Sequence, residues 1–188
     1  MSEPRLIVLA GPTAVGKGTV AGEVRKHHPE IWISVSATTR PPRPGEIDGV
    51  HYHFISDEKF DEMVADNEFL EWAQVHNAYR YGTPRAPIDA LLSSGQSALL
   101  EIDLQGARQV RAQMPSAFMV FLAPPTWEEL VNRLIGRGTE DAAERERRLE
   151  TAKRELAAQD EFDFVIVNTK VEEARDQLVD LFRSDSVG

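Results

Sequence analysis

Four short apolar runs, at 5–10, 97–102, 117–123 and 163–168, show no alternation of polar and apolar positions. Strands of this kind are buried on both faces, as in a parallel sheet covered by helices. The intervening segments repeat their apolar residues at helical spacing. Val20 and Val24 share a face over 17–28, and Leu149, Ala152 and Leu156 share one over 141–158. Val171, Ala174, Leu178, Leu181 and Phe182 do the same over 171–183. Over 126–136, Thr126 and Glu129 make a Thr-x-x-Glu capping box at a helix start. Short strands spaced by helices, joined by right-handed crossovers, predict an α/β fold with a doubly wound, three-layer core.

The pattern changes between about 34 and 84. This stretch carries Pro41, Pro42, Pro44, Gly45 and Gly49, together with all three tyrosines, Tyr52, Tyr79 and Tyr81. Its strand candidates, 31–36 and 50–55, are short and alternate, and a helix over 57–66 presents Phe60, Met63 and Val64. The expectation is an inserted lobe at about 34–83 with a small, mixed or mostly antiparallel sheet, in a single domain whose core is about 1–33 and 84–188. A turn at Gly82 is expected to lead to Thr83 as helix cap and Pro84 as the first helical residue.

Composition narrows the function classes. The chain has 188 residues, 41% hydrophobic and 28% charged, and a formal net charge of −10. A general nucleic-acid binder would need a basic surface, so that class is excluded, whereas clustered arginines can still hold a small anion. There is no cysteine, which removes disulfides and thiol catalysis and fits a reducing compartment. No leader is visible at the N-terminus and no run approaches the roughly 18–20 apolar residues of a membrane span, so a cytoplasmic location without a membrane partner is expected.

The first apolar run leads directly into Gly11-Pro12-Thr13-Ala14-Val15-Gly16-Lys17-Gly18-Thr19. A buried strand, a glycine-rich turn and a helix start together form a phosphate cradle. Gly11 and Gly16 allow backbone N–H groups to approach an anion, the helix supplies its unpaired N–H groups, and Lys17 adds a point charge. The spacing is that of the nucleotide-binding phosphate loop, with one departure: Gly18 replaces the hydroxyl residue that normally ligates magnesium.

Three further clusters bear on chemistry. Arg40 and Arg43, three apart in a proline-stiffened loop, suit forked recognition of one phosphate, although two solvated arginines would look the same in sequence. Glu71, in Glu68-Phe69-Leu70-Glu71-Trp72, is by itself an ordinary carboxylate. Asp103, in Glu101-Ile102-Asp103-Leu104-Gln105-Gly106, lies at the end of a buried strand, where open α/β sheets bind ligands; a strand-end acid capping a loop is the plain alternative.

Taken together, these segments resemble guanylate kinase. The likeness runs from the phosphate loop through 34–49, with Ser36-Ala37-Thr38-Thr39-Arg40-Pro41-Pro42-Arg43-Pro44-Gly45-Glu46 its most specific part, and through 67–74, Tyr81-Gly82-Thr83 and 101–106. It continues through 122–125, 133–140 and 165–168. The resemblance implies an enzyme that phosphorylates GMP and dGMP at the expense of ATP with Mg²⁺, in purine nucleotide metabolism. The inserted lobe would hold GMP and the core ATP. Arg40, Arg43, Tyr52 and Tyr81 would hold the GMP phosphate. Glu71 would accept from the guanine N1–H and 2-amino group, Ser36 and Thr83 would add hydroxyl contacts, and Asp103 would lie between base, ribose and metal-bound water. Residues 126–158 resemble an arginine-rich lid, with Arg133, Arg137 and Arg148 closing on the transferring phosphate and Arg137 at a hinge between Gly136 and Gly138. Lys17, Arg40, Arg137 and Arg148 would carry catalysis. Without a hydroxyl at position 18, magnesium is expected to be largely hydrated, with Asp103 or Thr19 assisting through water. Two rival readings remain: another kinase of nucleoside monophosphates or sugar phosphates, and a binding module like those of scaffold proteins. Oligomeric state is not legible.

Overall fold

The computed structural model describes residues 4–75, 78–135 and 141–183. The core sheet is built from strands β1 (Leu6–Ala10), β2 (Trp32–Ile33), β7 (Ala98–Glu101), β8 (Phe118–Ala123) and β9 (Phe164–Val167), in the order β2-β7-β1-β8-β9. All its pairings are parallel, with Leu9 opposite Glu101 on one side and Val120 on the other. Alternate residues of each strand feed two different cores. Ile7, Leu9, Leu99, Val120, Leu122 and Ile166 pack under helices α1 (Lys17–His27), α5 (Trp127–Ile135), α6 (Ala142–Ala157) and α7 (Val171–Arg183). Leu6, Val8, Ala98, Leu100 and Met119 pack on the opposite face against helices α3 (Arg85–Ser93) and α4 (Leu104–Gln113). This is the expected three-layer α/β core. Its runs lack alternation because both faces are dry.

A second sheet has the order β4-β3-β6-β5, formed by β3 (Ala37–Thr38), β4 (His53–Phe54), β5 (Phe69–Val75) and β6 (Tyr79–Pro84). It is mixed: β3 and β4 run parallel, while β6 is antiparallel to β3 and β5. Its own small core is Ala37, Phe60 and Phe69, with Phe60 coming from helix α2 (Asp57–Ala65).

The structure corrects three local expectations. The candidate strand 31–36 is not one element, because Trp32–Ile33 joins the edge of the core sheet and the second sheet begins at Ala37. Gly82 is no turn but lies inside β6, where a Cβ would come within 2.8 Å of the Phe69 ring, so the packed ring requires glycine. Thr83 does not cap α3: Pro84 holds the N-cap position, and the Thr83 hydroxyl donates to Glu71 instead. Half of the expected capping box is present, with the Glu129 N–H donating to Thr126 Oγ1 at 3.2 Å, while the Glu129 carboxylate accepts from Arg133 at 3.4 Å.

Candidate active site

The carboxyl ends of β1, β7 and β9 converge on the phosphate loop, and the loop's shape follows from backbone conformations few residues accept. Gly16, at φ 102°, is the N-cap of α1. A Cβ there would stand 2.8 Å from Asn168 Nδ2, and one on Gly11 would overlap the Leu122 carbonyl oxygen. Ala14 also has a positive φ of 65°, a strained conformation of the kind found at functional turns. Two side chains brace the loop through the Val15 carbonyl: Asn168 Nδ2 donates to it at 2.9 Å and Arg133 at 3.1 Å. The Lys17 ammonium folds back onto the loop, donating to the Gly11 carbonyl at 2.7 Å and to that of Pro12 at 3.1 Å. Burial lowers its pKa, opposed by the nearby carboxylates of Glu101, Glu155 and Asp103. Burial in turn raises the pKa of Glu101, opposed by Lys17 and Arg25. Gly18 and Thr19 are exposed at the start of α1, and a Cβ at position 18 would meet nothing within 4 Å.

A cleft of about 350 Å³ separates α1 from the second sheet, lined by Gly18, Arg25, Ser36, Glu46, Tyr52 and Glu101 among others. Arg40 stands behind it with a relative exposure of only 8%, so of the two readings of this arginine pair the solvated one fails for Arg40. Its guanidinium donates to both oxygens of Glu46, at 2.8 and 3.0 Å, and lies 5.4 Å from the centre of the Tyr52 ring. The bonds it donates to Glu46 and, more weakly, to the Tyr81 oxygen push the Arg40 pKa up, while Arg40 holds Glu46 down at about 2. Tyr52 and Tyr81 meet edge to face at 5.9 Å. Arg43 is exposed, but its backbone N–H donates to Glu46 at 2.6 Å. One carboxylate thus organises the whole arginine loop. It is one residue that sequence reading missed, and the signal was there: two arginines brought together need an anion.

Glu71 is buried on β5, accepting from the Thr83 hydroxyl at 2.5 Å. Burial raises its pKa to about 7; the Thr83 hydrogen bonds oppose the rise and the charge of Asp103 adds to it. Its other oxygen faces α4, where a Cβ on Gly106 would come within 3.1 Å. Asp103 is the N-cap of α4 and accepts from the Gly106 N–H at 2.7 Å, so a capping role coexists with its place at the strand end. Ser36 is half-buried, and its carbonyl accepts from the His53 N–H at 2.9 Å.

A second cleft, about 570 Å³, lies between α4 and α6 and is lined by Asp103, Gln105, Arg108, Thr151, Arg154 and Glu155. Glu155 reaches across to the phosphate loop and accepts from the Thr13 N–H at 2.9 Å, a contact with no sequence signal inside so charged a helix. Arg148 donates to Glu144 along α6 at 3.2 Å. Arg137, with its flanking glycines, lies outside the described residues. Those residues contain no group of three or more acidic, histidine or cysteine side chains arranged for a metal ion, and no helix long and apolar enough to cross a membrane.

Comparison with known proteins is consistent from sequence to structure. The guanylate kinase family model matches residues 3–185. The guanylate kinase of Leifsonia xyli is 68% identical over 176 residues, covering 94% of this chain and 69% of that protein. That of Thermobifida fusca is 61% identical over 182 residues, covering 97% and 92%. The crystal structure of guanylate kinase from Anaplasma phagocytophilum superposes with a TM-score of 0.75 at 31% identity, covering all of this chain and 89% of that one.

Proposed function

The chain belongs to the guanylate kinase family, and on that premise we propose that it transfers the γ-phosphoryl group of ATP to the phosphate of GMP, giving ADP and GDP, with dGMP accepted in the same way. The observation that carries the reading is the buried Glu71–Thr83 pair across β5 and β6, together with the Arg40–Glu46–Tyr52–Tyr81 cluster on the same lobe. A carboxylate can accept from both the N1–H and the 2-amino group of guanine. Adenine offers neither donor there, so it would leave a buried acceptor unpaired, a penalty that supports discrimination on the order of 10⁴-fold in sites built to read polar groups. Tyrosine hydroxyls and guanidiniums from Arg40 and Arg43 suit the phosphate end, while Ser36 and Asp103 edge the base and ribose.

The ATP phosphates belong on the loop from Gly11 to Thr19. Lys17 would exchange the carbonyls of Gly11 and Pro12 for phosphate oxygens, and Arg133, already on the loop, would stand beside them with Arg137 and Arg148 of the proposed lid. A GMP phosphate oxygen, ionised near neutral pH, attacks the γ-phosphorus in line. The bond from that phosphorus to the bridging oxygen breaks, and ADP leaves with the electron pair, so the protein needs to supply positioning and positive charge rather than a strong base. Mg²⁺ would enter with ATP and neutralise charge on its phosphates. The donors present, the exposed Thr19 hydroxyl and the Asp103 carboxylate, suit a hydrated ion held through water rather than a protein cage.

The test is ADP release from ATP with GMP, AMP, CMP and UMP offered separately. Turnover with GMP alone supports the reading. Turnover with AMP, or none at all, contradicts it.

A further inference from the structure

We propose that Gln109 is a positioning residue for the base-reading carboxylate: its side-chain amide clamps β5 at Trp72 and thereby sets where Glu71 stands. The inference rests on the role given to Glu71 above. β5 is the outer strand of its sheet. In an extended strand the N–H and C=O of one residue point the same way, and those of Trp72 point to α4. There Gln109 Oε1 accepts from the Trp72 N–H at 3.1 Å, and Gln109 Nε2 donates to the Trp72 carbonyl at 3.1 Å. A single planar amide takes the place of a neighbouring strand.

Three features make this more than the tidying of a sheet edge. First, the pairing of β5 with β6 is irregular between Phe69 and Glu71, so the ladder alone does not fix the backbone where the carboxylate is carried. Second, Gly106, one turn before Gln109 on α4, is the residue that lets Glu71 Oε2 approach the helix. The same helix therefore sets the backbone through Gln109 and the carboxylate through Gly106. Third, neither packing nor hydrogen-bond satisfaction requires the clamp. Leu70 already anchors β5 in the core beside Ala107 and Val110, and Trp72 is 39% exposed, so water can reach that edge. What the amide adds is fixed geometry, and a misplacement of about 1 Å in a recognition group can lower turnover by about 10²-fold.

The test compares kcat/KM for GMP with that for IMP, which keeps the N1–H but lacks the 2-amino group. This ratio does not depend on how much of a variant is folded. Gln109→Met, similar in shape but unable to bond Trp72, should raise KM for GMP and shrink the GMP-to-IMP ratio by about tenfold, with KM for ATP within about twofold of the wild type. An unchanged ratio overturns the proposal. Should that variant not fold, Gln109→Glu gives the same answer. Protonated, it keeps both an acceptor and a donor for Trp72; ionised, it sets a negative charge against the Trp72 carbonyl. A carboxyl at this exposed edge is ionised well above its ordinary pKa of about 4.3, so at neutral pH the GMP-to-IMP ratio should fall as far as in Gln109→Met, and a ratio equal to that of the wild type overturns the proposal. Wild-type enzyme that fails to phosphorylate GMP would instead overturn the reading beneath it.

Discussion

Glu71 carries the sharpest expectations of any single residue, because its burial is not balanced by a cation. Its folded pKa of about 7 lies above the ordinary 4.5, so the folded protein binds an extra proton between those values and loses stability as pH rises through them. Glu71→Gln keeps an acceptor for Thr83 without the charge. Its stability relative to wild type should therefore grow from about pH 4.5 and level off above about pH 7, approaching the order of 3 kcal/mol, as thermal melts at several pH values would read. GMP selection in that variant should collapse. In the wild type KM for GMP should rise as pH falls below about 7, because the guanine donors need the ionised carboxylate, and Glu71→Gln should lack that component. Glu46 makes the opposite case. Arg40 depresses its pKa to about 2, so its contribution is present above the ordinary carboxylate pKa and is lost as pH falls from there towards about 2. Glu46→Ala should detach Arg40 from the cleft wall and lower kcat/KM for GMP by at least about tenfold, with KM for ATP little changed; equal loss on both substrates would contradict the role given to this pair.

At the scale of elements, α1 is built for its N-terminus rather than for stability. It holds two glycines, at positions 18 and 22, behind its N-cap Gly16. A Cβ at Gly22 would meet nothing within 4 Å, so Gly22→Ala should raise stability by about 0.5–1 kcal/mol in denaturant titrations. Gly16→Ala, with its positive φ and the Asn168 amide in the way, should destabilise and impair ATP binding. α6 touches the same loop through Glu155, which shares the Thr13 N–H that an incoming phosphate would approach. Glu155→Gln keeps an acceptor but removes the repulsion, so KM for ATP should fall by about two- to fivefold. Sequence made the phosphate loop legible because its glycines, lysine and flanking elements are all local. It could not show Glu155, Asn168 or Gln109 in their places, since each reaches the site only through tertiary packing. Thr83 and Gly82 misled for a related reason: Thr-Pro after Gly is a sound local signal for a helix start, and here the Thr83 hydroxyl is committed across the sheet to Glu71.

For the whole molecule, the two sheets divided sharply in legibility. Four of the five core strands could be read because burial on both faces leaves unbroken apolar runs, while the fifth, Trp32–Ile33, is two residues at the sheet edge and reads as part of the other sheet. The strands of the second sheet at Ala37–Thr38 and His53–Phe54 are two residues each, too short for alternation to mean anything, and only proline, glycine and tyrosine content marked the region. The net charge of −10 likewise says nothing of the site, where Lys17 and Arg25 act on Glu101 and Arg40 is paired with Glu46 behind the cleft. That these cations serve phosphates while a buried carboxylate reads the base is the central claim about function. It is tested most directly by giving the protein γ-labelled ATP with an equimolar mixture of GMP, AMP, CMP and UMP and following the label. The account predicts label in the β-phosphate of GDP and in no other nucleoside diphosphate, with that preference lost in Glu71→Gln. Label spread over several diphosphates in the wild type, or released only as inorganic phosphate, would contradict it.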